Sequence, residues 1–184
     1  MEALLVSTAI VALAEMGDKT QLLSLVLAAR YRRPWTIVLG ILLATLANHA
    51  LAAGVGAWIT RVVEPTVLRW IVGLGFIAMA VWTLIPDKLD SGEHKGYFGV
   101  LGTTCVAFFL AEMGDKTQVA TVGLAARYAT FAPVVMGTTL GMLIANIPAV
   151  LLGEKLSKKV PLRALQRLAA VMFAILGVMA IVFT

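Results

Sequence analysis

The chain has 184 residues, 60% of them hydrophobic and only 14% charged, with a mean hydropathy of +0.94. A soluble domain carries about 45–50% apolar and about 25% charged residues, so the composition excludes a water-soluble globule and points to an all-α integral membrane protein in contact with lipid. The formal charge of +5 raises nucleic acid as a partner, but the basic residues sit at the ends of apolar runs, where they set orientation in a membrane, and no nucleic-acid partner is expected.

The apolar runs are about 20 residues long, the length a helix needs to cross roughly 30 Å of hydrocarbon. In chain order they predict six transmembrane helices: Leu4 to Ala29, Trp35 to Ile59, Trp70 to Ile85, Phe98 to Ala126, Pro133 to Leu152 and Leu168 to Phe183. Trp35 and Trp58 bracket the second span and Trp70 opens the third, as interfacial anchors do. The first span has a small-residue stretch, Ala12-Leu13-Ala14, that resembles a signal-peptide cleavage site. It begins MEALL without a basic segment, however, and its central string recurs deep in the chain, so it reads as a true span. Cys105 is the single cysteine, which rules out an intramolecular disulfide.

That recurring string is LAEMGDKTQ, at Leu13 to Gln21 and again at Leu110 to Gln118. The same shift of 97 residues maps Leu27-Ala28-Ala29-Arg30-Tyr31 onto Leu124-Ala125-Ala126-Arg127-Tyr128, Gly40 onto Gly137, Gly56 onto Gly153 and Phe76 onto Phe173. The chain therefore divides into repeats 1–88 and 98–184, joined by a polar linker over 89–97 within the segment Pro86 to Gly96. Three spans per repeat is an odd number, so the second repeat must enter the membrane from the opposite side. The expectation is two inverted-topology three-helix repeats about a pseudo-two-fold axis in the membrane plane, an arrangement common in secondary transporters. Arg30, Arg32, Arg33, Lys88, Lys95, Lys155, Lys158, Lys159, Arg163 and Arg167 fall on one side, and only Arg61, Arg69 and Arg127 on the other. The positive-inside rule makes the first side cytoplasmic and puts both termini on the non-cytoplasmic side.

Charged residues near the bilayer midplane are costly and usually mark an ion path. Glu15 and Glu112 lie near the middle of their spans; with Asp18, Lys19 and Gln21, and with Asp115, Lys116 and Gln118, they fall three or four residues apart, as on one helix face. Carboxylate and amide oxygens suit hard cations such as Mg²⁺, Ca²⁺ or Mn²⁺. Glu15, Asp18, Glu112 and Asp115 are the candidate metal ligands. Four carboxylates and two ammonium groups sum to −2, the charge one divalent cation neutralises; once it leaves, the desolvated carboxylates stand ready to take up protons. No resident cofactor is needed, since the metal is the transported substrate.

The flanking residues have two readings each. Gly17 and Gly114 either break the helix and free backbone carbonyls or allow close helix packing. Lys19 and Lys116 either pair with the glutamate four residues before in the empty state or provide permanent charge balance. Asn48 and Asn146 serve as direct or supporting ligands or as interhelical hydrogen-bonding groups, and Thr20 and Thr117 as ligands or as bonds to their own helix. His49, whose counterpart is Asn146, reads as a packed or proton-relay residue. His94, in the linker, reads as solvated. A structural alternative for the whole motif is a buried Glu-Lys lock between helices, but apolar packing does that as well.

Two E-x-G-D-K-T motifs, Glu15-Met16-Gly17-Asp18-Lys19-Thr20 and Glu112-Met113-Gly114-Asp115-Lys116-Thr117, each in the first span of a repeat, resemble those of the MneA-type manganese exporters, bacterial relatives of the Golgi cation/proton antiporters. The resemblance covers essentially the whole chain. It implies that both Glu and both Asp bind the cation, that Mn²⁺ is the bacterial substrate, and that export is coupled to protons. The short N terminus, without the extension of eukaryotic members, implies a bacterial inner membrane. A Ca²⁺/H⁺ antiporter or a broader divalent or small-cation exporter fits the same architecture, although the lysines would repel an organic cation. An enzyme is not expected: intramembrane aspartyl proteases use Gly-x-Gly-Asp, and here Glu15 and Glu112 stand where the first glycine would be.

Overall fold

The computed structural model of the protein describes residues 1–85, 99–152 and 162–182. The predicted linker 89–97, with His94, and the loop lysines 88, 95, 155, 158 and 159 lie outside the described residues. Within them the chain is all helical: α1 (Glu2–Glu15), α2 (Lys19–Tyr31), α3 (Pro34–Val62), α4 (Pro65–Thr83), α5 (Gly99–Glu112), α6 (Lys116–Tyr128), α7 (Ala132–Leu152) and α8 (Leu162–Val182). Three of these, α3, α4 and α7, are each long and apolar enough to cross a membrane.

The distribution of side chains is that of a protein dissolved in lipid. Along α3, Leu39, Leu43, Leu46, Leu51, Val55 and Trp58 are exposed, while Thr45, Asn48 and His49 are fully buried. α8 repeats the pattern, with Leu168, Val171, Ile175, Val178 and Val182 outward at helical spacing. Apolar residues outside and polar residues inside reverse the order of a water-soluble helix. The core is built from small and aromatic residues, with Phe76 stacked on Phe173 at 6.1 Å between ring centroids.

The repeats interlock rather than sit side by side. α1 packs along α7, its counterpart α5 packs along α3, and α4 packs along α8. Glycines permit the close approach: a Cβ on Gly141 would lie 2.7 Å from the Thr8 carbonyl oxygen, and one on Gly40 would lie 2.7 Å from the Thr104 Cβ. At one end of the molecule the Tyr128 hydroxyl, closing α6, donates to Glu2 of α1 at 3.4 Å. The end of α2 instead lines a groove with the end of α7, between Leu25, Val26, Ala28, Ala29 and Val150, Leu151, Leu152.

Two of the predicted spans differ in kind. Leu4 to Ala29 and Phe98 to Ala126 are not single helices: each is split into a 14-residue and a 13-residue helix by a break inside the motif. α4 begins at Pro65, five residues before the Trp70 used to mark its start, because proline at the first helical position presets the backbone and has no N–H to leave unpaired.

Candidate cation site at two broken helices

Each letter of the motif has a task in the break. α1 ends at Glu15, and Gly17 then adopts φ +85°, a left-handed conformation that glycine reaches without a Cβ penalty. Asp18 returns to extended backbone as the N-cap of α2, its Oδ1 accepting from the Lys19 N–H at 2.7 Å. The N–H of Gly17, released from helical pairing, donates to Gln21 Oε1 at 3.0 Å, and the Thr20 hydroxyl donates to Glu15 Oε2. The second copy repeats this. Gly114 has φ +76°, Asp115 Oδ1 accepts from the Lys116 N–H at 2.8 Å, Gly114 N–H donates to Gln118 Oε1 at 2.7 Å, and Thr117 donates to Glu112 Oε2 at 3.3 Å.

The break corrects one sequence expectation. Glu15 and Lys19 belong to different helices, so they do not form a continuous i, i+4 face, and the lysines reach across the molecule. Lys19 Nζ lies 3.4 Å from Asp115 Oδ1, and Lys116 Nζ lies 3.1 Å from Asp18 Oδ2. Lys116 is fully buried whereas the Lys19 side chain is a quarter exposed, at 25%.

Between these crossed pairs, Glu15, Glu112 and Asp115 each bring one carboxylate oxygen to within 4.8 Å of the others, and all three residues are buried. Glu15 Oε1, Glu112 Oε1 and Asp115 Oδ2 have no hydrogen-bond partner among the described residues. Buried acceptors normally find partners. Three carboxylates that converge and each keep an unpartnered oxygen form a donor set suited to a hard divalent cation, and the C-terminal ends of α1 and α5 add partial negative charge nearby. Asp18, beside Lys116, stands outside this triad.

The remaining candidates form a collar on α3 and α7. Asn48 Nδ2 donates to the Phe109 carbonyl at 2.9 Å, and its Oδ1 accepts from Gln118 Nε2 at 3.5 Å. At the equivalent place Gln21 Nε2 donates to the Ala145 carbonyl at 3.0 Å. His49 Nε2 lies 3.7 Å from Glu112 Oε2, with the ring fully buried. Asn146, its counterpart, faces α2 instead: Oδ1 accepts from the Ser24 hydroxyl at 2.7 Å, and Nδ2 donates to the Met142 carbonyl at 3.1 Å. Ser24 and Met142 were absent from the sequence candidates. The signal for Ser24 was its spacing, one helical step beyond Gln21; Met142 carried no such signal.

The profile of the family described as "Divalent cation/proton antiporter GDT1" matches residues 3–91 and 100–184. The chain is 49% identical over 178 residues to a protein of Vibrio cholerae described as a "Putative manganese exporter", covering 96% of this chain and 89% of that one. It is 29% identical to GDT1-like protein 3 of Oryza sativa (94% and 71% covered) and 26% identical to GDT1-like protein sll0615 of Synechocystis (92% and 91% covered). No solved structure matches it.

Proposed function

Since the chain belongs to the GDT1 family of divalent cation/proton antiporters, a family of membrane transporters and not of enzymes, we propose that it exports Mn²⁺ from the cytoplasm in exchange for protons through a single site shared by the two motifs. The observation that carries this reading is the buried triad of Glu15, Glu112 and Asp115, with three unpartnered oxygens drawn from both repeats. The name of the Vibrio relative supports Mn²⁺ as the cation.

In this reading Glu15, Asp18, Glu112 and Asp115 hold the cation during the cycle. The crossed pairs of Lys19 with Asp115 and Lys116 with Asp18 balance charge in the state without metal. A divalent cation entering the triad competes with protons for the same oxygens, which is the physical basis of exchange. Asn48, Asn146, Gln21, Gln118, Thr20 and Thr117 orient the carboxylates and brace the breaks, Gly17 and Gly114 create them, and His49, beside Glu112, relays protons.

The architecture we infer is six spans in two inverted repeats, with α1–α2 and α5–α6 each forming one interrupted span. Reciprocal contacts support it: Lys19 with Asp115 and Lys116 with Asp18, Gln21 with residue 145 and Gln118 with its counterpart 48, and Phe76 on its own counterpart Phe173. A residue touching its own counterpart lies on a two-fold axis. α2 and α6 end near different partners, one with the end of α7 and the other with the start of α1, in keeping with opposite orientation. Alternating access then comes from rocking one repeat against the other, in a bacterial inner membrane with both termini on the non-cytoplasmic side.

The test is purified protein in liposomes with an imposed pH gradient, comparing Mn²⁺, Ca²⁺, Mg²⁺ and Zn²⁺ flux. Saturable Mn²⁺ flux driven by the gradient is expected. Absence of flux for every divalent cation would sink the proposal, preference for Ca²⁺ would replace the substrate, and insensitivity to the gradient would remove proton coupling.

A further inference from the structure

Only three arginines, Arg61, Arg69 and Arg127, fall on the side of the protein that the charge bias leaves poor in basic residues. Two of the three border the same cavity. Arg69 of α4 and Arg127 of α6 line one cavity of about 70 Å³ with Pro65, Leu68, Val72, Ala126 and Ala180. Both arginines are half-buried, and neither has a carboxylate within ion-pair distance among the described residues. Arg69 Nε is buried without a hydrogen-bond partner. Glu2 is engaged instead with Tyr128, and Glu64, which precedes α4, is exposed.

Two guanidinium groups bordering one small cavity with no carboxylate in ion-pair distance repel each other, and an anion between them relieves that repulsion. Liquid water occupies about 30 Å³ per molecule, so the cavity has room for a tetrahedral oxyanion. The planar guanidinium fork matches phosphate oxygens in a bidentate manner. The rest of the wall is apolar, and Val67, Ile71 and Val182, one or two residues along the chain from lining residues, are exposed on the surface. A free anion gains nothing from those side chains, but a phosphate carrying acyl chains does. The arrangement occurs once: Arg127 has a counterpart in Arg30, but the position equivalent to Arg69 is Gln166.

We propose that Arg69 and Arg127 form a binding site for the phosphodiester of an anionic phospholipid, at the end of the protein where the chain begins. The single negative charge of the phosphodiester bridges the two guanidinium groups, offsetting one of their two positive charges, and the lipid clamps α4, α6 and α8 together at that rim.

The experiment is a titration of the purified full-length protein in neutral detergent with phosphatidylglycerol or phosphatidylcholine, read by native mass spectrometry and by thermal unfolding. One tightly held phosphatidylglycerol per chain is expected, with stabilisation that phosphatidylcholine does not reproduce. Arg69→Gln should weaken that binding about tenfold, the loss expected for a charged hydrogen bond, and addition of Arg127→Gln should abolish it. Arg61→Gln, an exposed arginine outside the cavity, should leave it unchanged. Arg69→Lys keeps the charge but loses the fork, so weakened binding in this variant supports the site even if the glutamine variant folds poorly. Equal binding of the two lipids, equal losses in the Arg61 and Arg69 variants, full affinity in Arg69→Lys, or displacement of the lipid by millimolar inorganic phosphate would each overturn the assignment.

Discussion

Replacing Lys116 with methionine removes the buried ammonium beside Asp18, and the effect should far exceed that of the matching change at Lys19. Both lysines hold an aspartate of the other repeat, at 3.1 Å for Lys116 and 3.4 Å for Lys19, but Lys116 is 1% exposed and the Lys19 side chain is 25% exposed. Removing one partner of a buried pair typically costs about 3–5 kcal/mol because the other charge is left uncompensated, whereas pairs open to solvent contribute about 0–1 kcal/mol. Lys19 is a quarter exposed although Asp115 is buried, so water entering at the place of the lost lysine can solvate Asp115, and roughly 1 kcal/mol is the expectation for Lys19→Met. For a chain of this length about 1 kcal/mol shifts Tm by about 2–4 °C, so Lys116→Met should lower the detergent-solubilised Tm by roughly 10 °C and Lys19→Met by no more than about 3 °C. Adding Asp18→Asn to Lys116→Met removes the buried negative charge that Lys116 balanced and keeps the helix cap, since asparagine caps as well as aspartate. The double variant should therefore recover most of the loss. Equal destabilisation by the two lysine variants, or no recovery in the double variant, would refute the assignment of the crossed pairs.

Glu15→Gln and Asp115→Asn should each abolish Mn²⁺ flux in liposomes while leaving Tm within a few degrees of the parent, because the amides keep the size and, at Asp115, the N-cap. His49→Ala should reduce flux only partly, and His49→Asn, which copies the residue at position 146, should retain more; complete loss in both would make His49 a ligand. Gly114→Ala should cost about 1 kcal/mol through the left-handed backbone alone, since a Cβ there would meet nothing within 4 Å, and circular dichroism and Tm check this. Saturating Mn²⁺ at about 100 times its Kd should stabilise the protein by about 2.7 kcal/mol. That gain should shrink as pH falls, because protons occupy the same oxygens.

The sequence carried the repeat, the apolar spans and the identity of the charged residues, because a duplicated string survives as spelling whatever its conformation. It also held a cue to the helix break, since glycine followed by aspartate is compatible with a helix end followed by an N-cap. The 3.6-residue spacing of Glu15 and Lys19 is equally compatible with one unbroken helix, and local pattern does not choose between them. What decides is tertiary: the buried Asp115 and Asp18 attract Lys19 and Lys116 across the molecule, and the amide nitrogens of Gln21 and Gln118 bond to Ala145 and Asn48 far away in the chain. The different surroundings of His49 and Asn146 were likewise beyond the pattern, because they depend on which helix of the other repeat packs against each. Pro65 was legible as a helix start, but tryptophan marks an interface and not a helix terminus, so α4 begins earlier than Trp70 suggests.

The shared site is tested most directly by counting Mn²⁺ on the purified protein, following free Mn²⁺ by electron paramagnetic resonance during titration of the parent, Glu15→Gln and Glu112→Gln. One site between the motifs predicts one Mn²⁺ per chain, lost in either variant alone. Two Mn²⁺ per chain, with each variant losing only one, would contradict it and make the two motifs independent sites.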